Sequence, residues 1–209
     1  DLDPALGIGR AGGYGLPSGH AQESMVLWGS IAHFIAKRWF WVLTAALLLL
    51  IGLSRVYLGV HFPTDVFAGW TVGVILLWFY VVTRGGIEGW ISAQKPAMQM
   101  LLASAVPLGL LFLHGGVVVI YQSGLLLGVG AGAVAQSRLV SFTSPCAKGR
   151  AVARYCIGII VFFASLSLLR EVYAHQPFAG RLAAGFFQSV FNGAWISLGA
   201  PWLFRRLKL

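Results

Sequence analysis

Two short stretches carry side chains that could do chemistry together. One is Pro17-Ser18-Gly19-His20. The other is Ser54-Arg55, five residues, His61, three residues, Asp65. An Asp beside a His can fix the imidazole tautomer and support the imidazolium. His61 and Asp65 are four apart, so on a helix they would share a face. Arg55 offers a planar fork of donors suited to a phosphate. Each residue also has a plainer reading. Ser18 could be a helix N-cap, Arg55 an anchor at a helix end, and a histidine at a membrane interface a bystander. His33, His114 and His175 take that last reading.

What must position these residues is set by composition. Of 209 residues, 58% are hydrophobic and 10% charged, and the mean hydropathy is +0.80. A soluble domain carries about a quarter charged residues. A chain this apolar cannot cover a water-facing surface, so it reads as an all-α, polytopic transmembrane helix bundle. The net charge of +9 sits between apolar runs. That is the pattern of charged loops at a membrane face rather than of a nucleic-acid binder. Cys146 and Cys156 lack metal-site spacing and read as ordinary loop and helix residues. No signal peptide is visible.

About seven apolar segments emerge: Ala21–Ala36, Phe40–Leu53, Val66–Val82, Met98–Tyr121, Leu125–Ala135, Ala153–Leu169 and Leu182–Phe204. The fifth is the shortest and could span if flanking polar residues snorkel, or it could be re-entrant. Turns are expected in 85–96, 137–149 and 171–180. Threading the segments in alternation puts Lys37, Arg38, Arg84, Lys95, Arg138, Lys148, Arg150, Arg154, Arg205, Arg206 and Lys208 on one face. Arg10, Arg55, Arg170 and Arg181 fall on the other. The richer face should be cytoplasmic by the positive-inside rule, which leaves Pro17–His20 outside. From His20 to Lys37, and from Arg38 to Arg55, a helix would rise roughly 25 Å. Asp65 to Arg84 would rise roughly 28 Å. His20, Arg55 and Asp65 should therefore share one level near the external edge. Ionisable residues at such a depth usually mark function.

The motifs Pro17-Ser18-Gly19-His20 and Ser54-Arg55-x5-His61-x3-Asp65 resemble the second and third signatures of the type 2 phosphatidic acid phosphatase superfamily, covering residues 17–65. The later helices carry no assignable motif and resemble the C-terminal part of bacterial members. The resemblance implies an integral membrane phosphatase acting on a phosphorylated lipid, without metal or other cofactor. His61 would form a phosphohistidine, Asp65 would orient it, and His20 would be the general acid. Arg55, Ser18, Gly19 and Ser54 would bind the phosphoryl group. Residues 1–97 would form the catalytic core and 98–209 further transmembrane helices. The expected site is a bacterial cell membrane, with the reaction at its external face. The family's first signature, K-x6-R-P, does not occur before Pro17. With Asp1 rather than Met opening the sequence, the expectation is that the chain starts after it. Competing readings are a phosphotransferase using the same site, a non-catalytic binder of lipid phosphate, and an anion transporter.

Overall fold

A computed structural model describes residues 15–113, 116–142, 146–174 and 176–209. Every regular element among them is helical: α1 (Gly19–Ile35), α2 (Arg38–Tyr57), α3 (Pro63–Ser92), α4 (Pro96–Leu113), α5 (Val117–Leu139), α6 (Lys148–Ala174), α7 (Phe178–Ala194) and α8 (Ala200–Arg206). A π-helical turn, Trp195–Gly199, joins α7 to α8. The helices α2 to α5 and the Lys148–Leu168 part of α6 are long and apolar enough to cross a membrane. Large apolar side chains stand on the outer surface, Phe112 at 92% exposure and Leu50 at 65%. In water such a surface would be untenable, whereas hydrocarbon accepts it. The chain is an integral membrane protein.

Helix boundaries differ from the expected ones in instructive places. The stretch 122–124 separates the fourth and fifth apolar segments in the sequence, yet it lies inside α5. The break falls instead between Leu113 and Val117. Ser123 is fully buried, and a methyl on Gly124 would lie 2.6 Å from the Phe186 carbonyl oxygen. In an apolar setting small polar residues mark helix contacts rather than helix ends. The fifth segment is therefore a 23-residue helix, not a short re-entrant one. Likewise α3 runs through Gly85, Gly86 and Gly89 to Ser92. Glycine only weakens a helix, and it takes the residues before Pro96 to end this one. The expected turns at 137–149 and 171–180 shrink in the same way, since α5 reaches Leu139 and α6 reaches Ala174. His114 and His175 lie outside the described residues.

The chain divides into two compact units, Asp1–Trp90 and Ile91–Leu209. In the first, small residues let three helices approach. A Cβ on Gly73 would lie 2.6 Å from Met25 Cβ on α1, and one on Gly52 would lie 2.6 Å from the Trp70 ring on α3. In the second, α5 and α7 meet along glycines. Gly124, Gly128 and Gly132 of α5 face Phe186, Val190 and Ser197, while Gly185 and Gly193 return the contact against Tyr121 and Leu125. At Gly128 and Gly193 the opposing atoms are backbone carbonyls, so there is no room for a methyl. Polar bonds add to the same unit. Ser165 Oγ of α6 lies 2.5 Å from Asn192 Oδ1 of α7, and Gln188 Nε2 donates to the Ser165 carbonyl at 3.2 Å. Trp195 Nε1 donates to the Gly158 carbonyl at 3.1 Å, holding the π turn against α6.

Candidate active site

The first unit gathers the chemically capable residues at one end, where α1 and α3 begin and α2 finishes. The local sequence explains each placement. α2 ends at Tyr57, and Gly59 takes a left-handed φ of 66° that turns the chain back. Only glycine enters that region freely. The Val60 N–H donates to the Arg55 carbonyl at 3.2 Å and tightens the turn. Pro63 then opens α3, where its missing N–H is not needed. Asp65, in the first turn, reaches back so that Oδ2 accepts the Phe62 N–H at 2.8 Å. That is half of a capping box.

His61 therefore precedes the helix instead of riding on it. The capping turn, rather than a shared helical face, brings it to Asp65. Its Nδ1 lies 3.5 Å from Asp65 Oδ2 and 3.0 Å from the Gly15 carbonyl oxygen. At 3.5 Å a hydrogen bond is weak, and at 3.0 Å it is ordinary. Both neighbours are acceptors, so the ring proton belongs on Nδ1. The Nε2 lone pair is then left free. The His61 and Asp65 side chains are each 11% exposed.

Ser18 is tied to the same helix through its main chain, its N–H donating to the Asp65 carbonyl at 2.9 Å. It occupies the N-cap position of α1, but its side chain makes no capping bond. Ser18 is fully buried, and Oγ has no partner among the described residues. A buried hydroxyl without a partner costs about 1–3 kcal/mol. Such a group calls for a partner, and a phosphoryl oxygen or a water molecule would supply one. Gly19 begins α1, and no atom of the described residues lies within 4 Å of where its Cβ would stand, which leaves the free N–H groups of the first turn open to a ligand on that side.

Arg55 sits in the last turn of α2. Its Nε donates to Ser54 Oγ at 3.2 Å, and that hydroxyl donates to the Ile51 carbonyl at 2.7 Å. The guanidinium is thus held at its base, and its terminal nitrogens have no partner among the described residues. His20 is the second residue of α1 and is exposed, with no hydrogen bond or ion pair to His61, Asp65 or Arg55. The structure thus links Ser18, His61 and Asp65 directly. It hangs Ser54 and Arg55 on the adjoining turn and leaves His20 at the open edge. Gly15 escaped sequence reading, because what it contributes is a backbone carbonyl, which every residue type has. His33, by contrast, lies in the last turn of α1, exposed, with its ring edge-on to Phe34.

A helical membrane protein with a histidine–carboxylate pair, an arginine and a helix N-terminus converging at one end of three helices is the class these features define. The chain belongs to the PAP2 superfamily. The superfamily's sequence model matches residues 3–87, and that of the PAP2 superfamily phosphatase transmembrane extension matches 120–209. Phosphatidylglycerophosphatase B of Bacillus subtilis is 35% identical over 78 residues, covering 33% of this chain and 37% of the relative. Undecaprenyl-diphosphatase of Sulfolobus acidocaldarius is 43% identical over 61 residues, 29% of each chain. Lipid A 4'-phosphatase of Porphyromonas gingivalis is 38% identical over 91 residues, 42% of this chain and 38% of the relative. The chain spans well under half the length of these relatives. No solved structure matches.

Proposed function

We propose that the protein is a membrane phosphatase that hydrolyses a lipid phosphate monoester or diphosphate at the external face, with His61 as nucleophile. The observation that carries this reading is the engagement of His61 Nδ1 by the Gly15 carbonyl and Asp65. That engagement directs the Nε2 lone pair outward.

In the first half-reaction Nε2 attacks phosphorus and a P–N bond forms. The bond from phosphorus to the leaving oxygen breaks, and His20 gives that oxygen its proton. In the second, His20 takes a proton from water, water oxygen attacks phosphorus, and the P–N bond breaks to free phosphate and His61. Arg55, Ser18 Oγ and the Gly19 N–H would meet the three equatorial oxygens, with Ser54 steadying Arg55. Phosphoryl transfer gains chiefly from such positioning and from donors aimed at developing charge. The guanidinium and the α1 N-terminus neutralise that charge, so turnover should survive a chelator. Residues 1–97 would be the catalytic core.

A lipid substrate is supported by a groove of about 520 Å³ along α1. It starts at Gln22 and Glu23, just past His20, and continues between apolar residues such as Val26, Leu27, Phe34 and Leu76. The relatives' names, each a phosphatase of a lipid, point the same way. The external face is inferred from the distribution of Lys and Arg, and α5 as a full-length helix supports the segment count behind it. A bacterial cell membrane is the proposed location.

The test is phosphate release from lipid phosphates by the full-length membrane protein. His61→Ala should abolish release and also the acid-labile, base-stable phosphate trapped on the protein. Normal turnover by that variant would sink the mechanism. Transfer of the phosphoryl group to an added alcohol in preference to water would mark a phosphotransferase.

A further inference from the structure

We propose that Gly69 is a positioning residue for this reaction: its bare Cα sets how closely the segment carrying Ser18, Gly19 and His20 approaches the start of α3, and hence the spacing between His20 and His61. The inference rests on the phosphatase reading above.

Ser18 is held from α3 on two sides. Its N–H donates to the Asp65 carbonyl at 2.9 Å, and one helical turn on, its own carbonyl lies over Gly69. A Cβ at position 69 would stand 2.5 Å from Ser18 O, 2.9 Å from Ala21 Cβ and 3.2 Å from Gln22 N. None of these atoms is the end of a flexible side chain. Ser18 O also accepts the first helical bond of α1, from Gln22 N at 3.0 Å, so it cannot swing aside without unwinding that turn. A methyl at position 69 would therefore push the whole first turn of α1 away from α3. The shortest contact is about 0.9 Å short of the 3.4 Å where ordinary contact begins. His61 stays with α3, since Asp65 fixes the Phe62 N–H beside it. His20 goes with α1.

A displacement near 1 Å can cost about 10²-fold in rate. Gly69→Ala is expected to lose turnover on that scale for an alkyl lipid phosphate, whose leaving oxygen needs a proton. The loss should be several-fold smaller for p-nitrophenyl phosphate, whose leaving group departs without one. A purely structural role would lower both rates together. Gly29→Ala is the control. Its methyl also crowds the α1–α3 contact, but against the Leu77 side-chain end at 2.5 Å, far from Ser18. It should keep the wild-type ratio of the two rates. Protection of the protein from thermal unfolding by orthovanadate gives a readout apart from turnover, and it should weaken in Gly69→Ala and persist in Gly29→Ala.

Wild-type rates in Gly69→Ala, or equal losses on both esters with vanadate protection intact, would overturn the proposal. His20→Ala run in parallel separates the two readings. If it leaves the ratio of rates unchanged, the general-acid role fails. The positioning role of Gly69 is then decided by vanadate protection alone.

Discussion

The Gly15 carbonyl oxygen lies closer to His61 Nδ1 than Asp65 does, 3.0 Å against 3.5 Å. The tautomer of the proposed nucleophile is therefore set by the main chain, with the carboxylate behind it. Where a carboxylate alone holds a catalytic imidazole, its replacement by an amide costs about 10⁴-fold through the wrong tautomer. Asp65→Asn should cost far less here, about 10²-fold or below, because Gly15 still accepts the Nδ1 proton. Phosphate-release kinetics of that variant check the point, and a loss near 10⁴-fold would contradict it.

Ser18→Ala should separate stability from function. The hydroxyl is buried without a partner among the described residues. Removing it lifts a desolvation penalty of about 1–3 kcal/mol. The thermal midpoint in detergent should hold or rise while KM for the lipid phosphate increases. A clear fall in the midpoint would mean that the hydroxyl has a structural partner.

Ser54→Ala should act on binding. Ser54 Oγ bridges the Ile51 carbonyl and Arg55 Nε, holding the base of the guanidinium. The Arg55 Nε–H bond has a charged donor, and such bonds contribute about 1.5–3 kcal/mol. KM should rise roughly tenfold or more with kcat nearly unchanged, whereas Arg55→Ala should lower both kcat and affinity. Steady-state kinetics of the pair distinguish an aligning serine from a reacting one.

Glycines in the second unit should differ sharply by position. Gly128 faces the Val190 carbonyl and the Ala194 N–H, so Gly128→Ala forces α5 and α7 apart and should cost about 1–3 kcal/mol or more. Gly109 of α4 has nothing within 4 Å of an added methyl, so Gly109→Ala should be neutral or mildly stabilising. Unfolding in detergent should show a clear loss of stability for Gly128→Ala and none for Gly109→Ala.

The candidate site was largely legible as a cluster because it is built from distinctive residue types. Ser18, Arg55, His61 and Asp65 are few and closely spaced in an apolar chain, and the structure holds three of them together directly. What escaped reading works through geometry that no residue type announces. Gly15 acts through a carbonyl, and Gly69 through the absence of a side chain. The helical fold was equally visible in the apolar runs. The boundaries that slipped, at 122–124 and 85–92, did so because Gly and Ser signal loops in water, whereas between apolar helices they signal contact. The pairing of His61 with Asp65 was anticipated, but not its cause, a capping turn rather than a helical face.

The π turn at Trp195–Gly199 leads directly into α8, whose second residue is Pro201. A π turn holds more residues than an α turn, so it behaves as an insertion absorbed by the helix, with the flanking residues left in register. Proline has no N–H for the turn before it, and its ring crowds the carbonyl four residues back, here that of Ser197. The wider turn takes up that misfit: Phe204 stays buried beside Phe142, and the Arg206 guanidinium lies over the Trp202 ring. The five-residue turn thus works as an expansion joint that lets a proline pass without displacing the C-terminal basic pair.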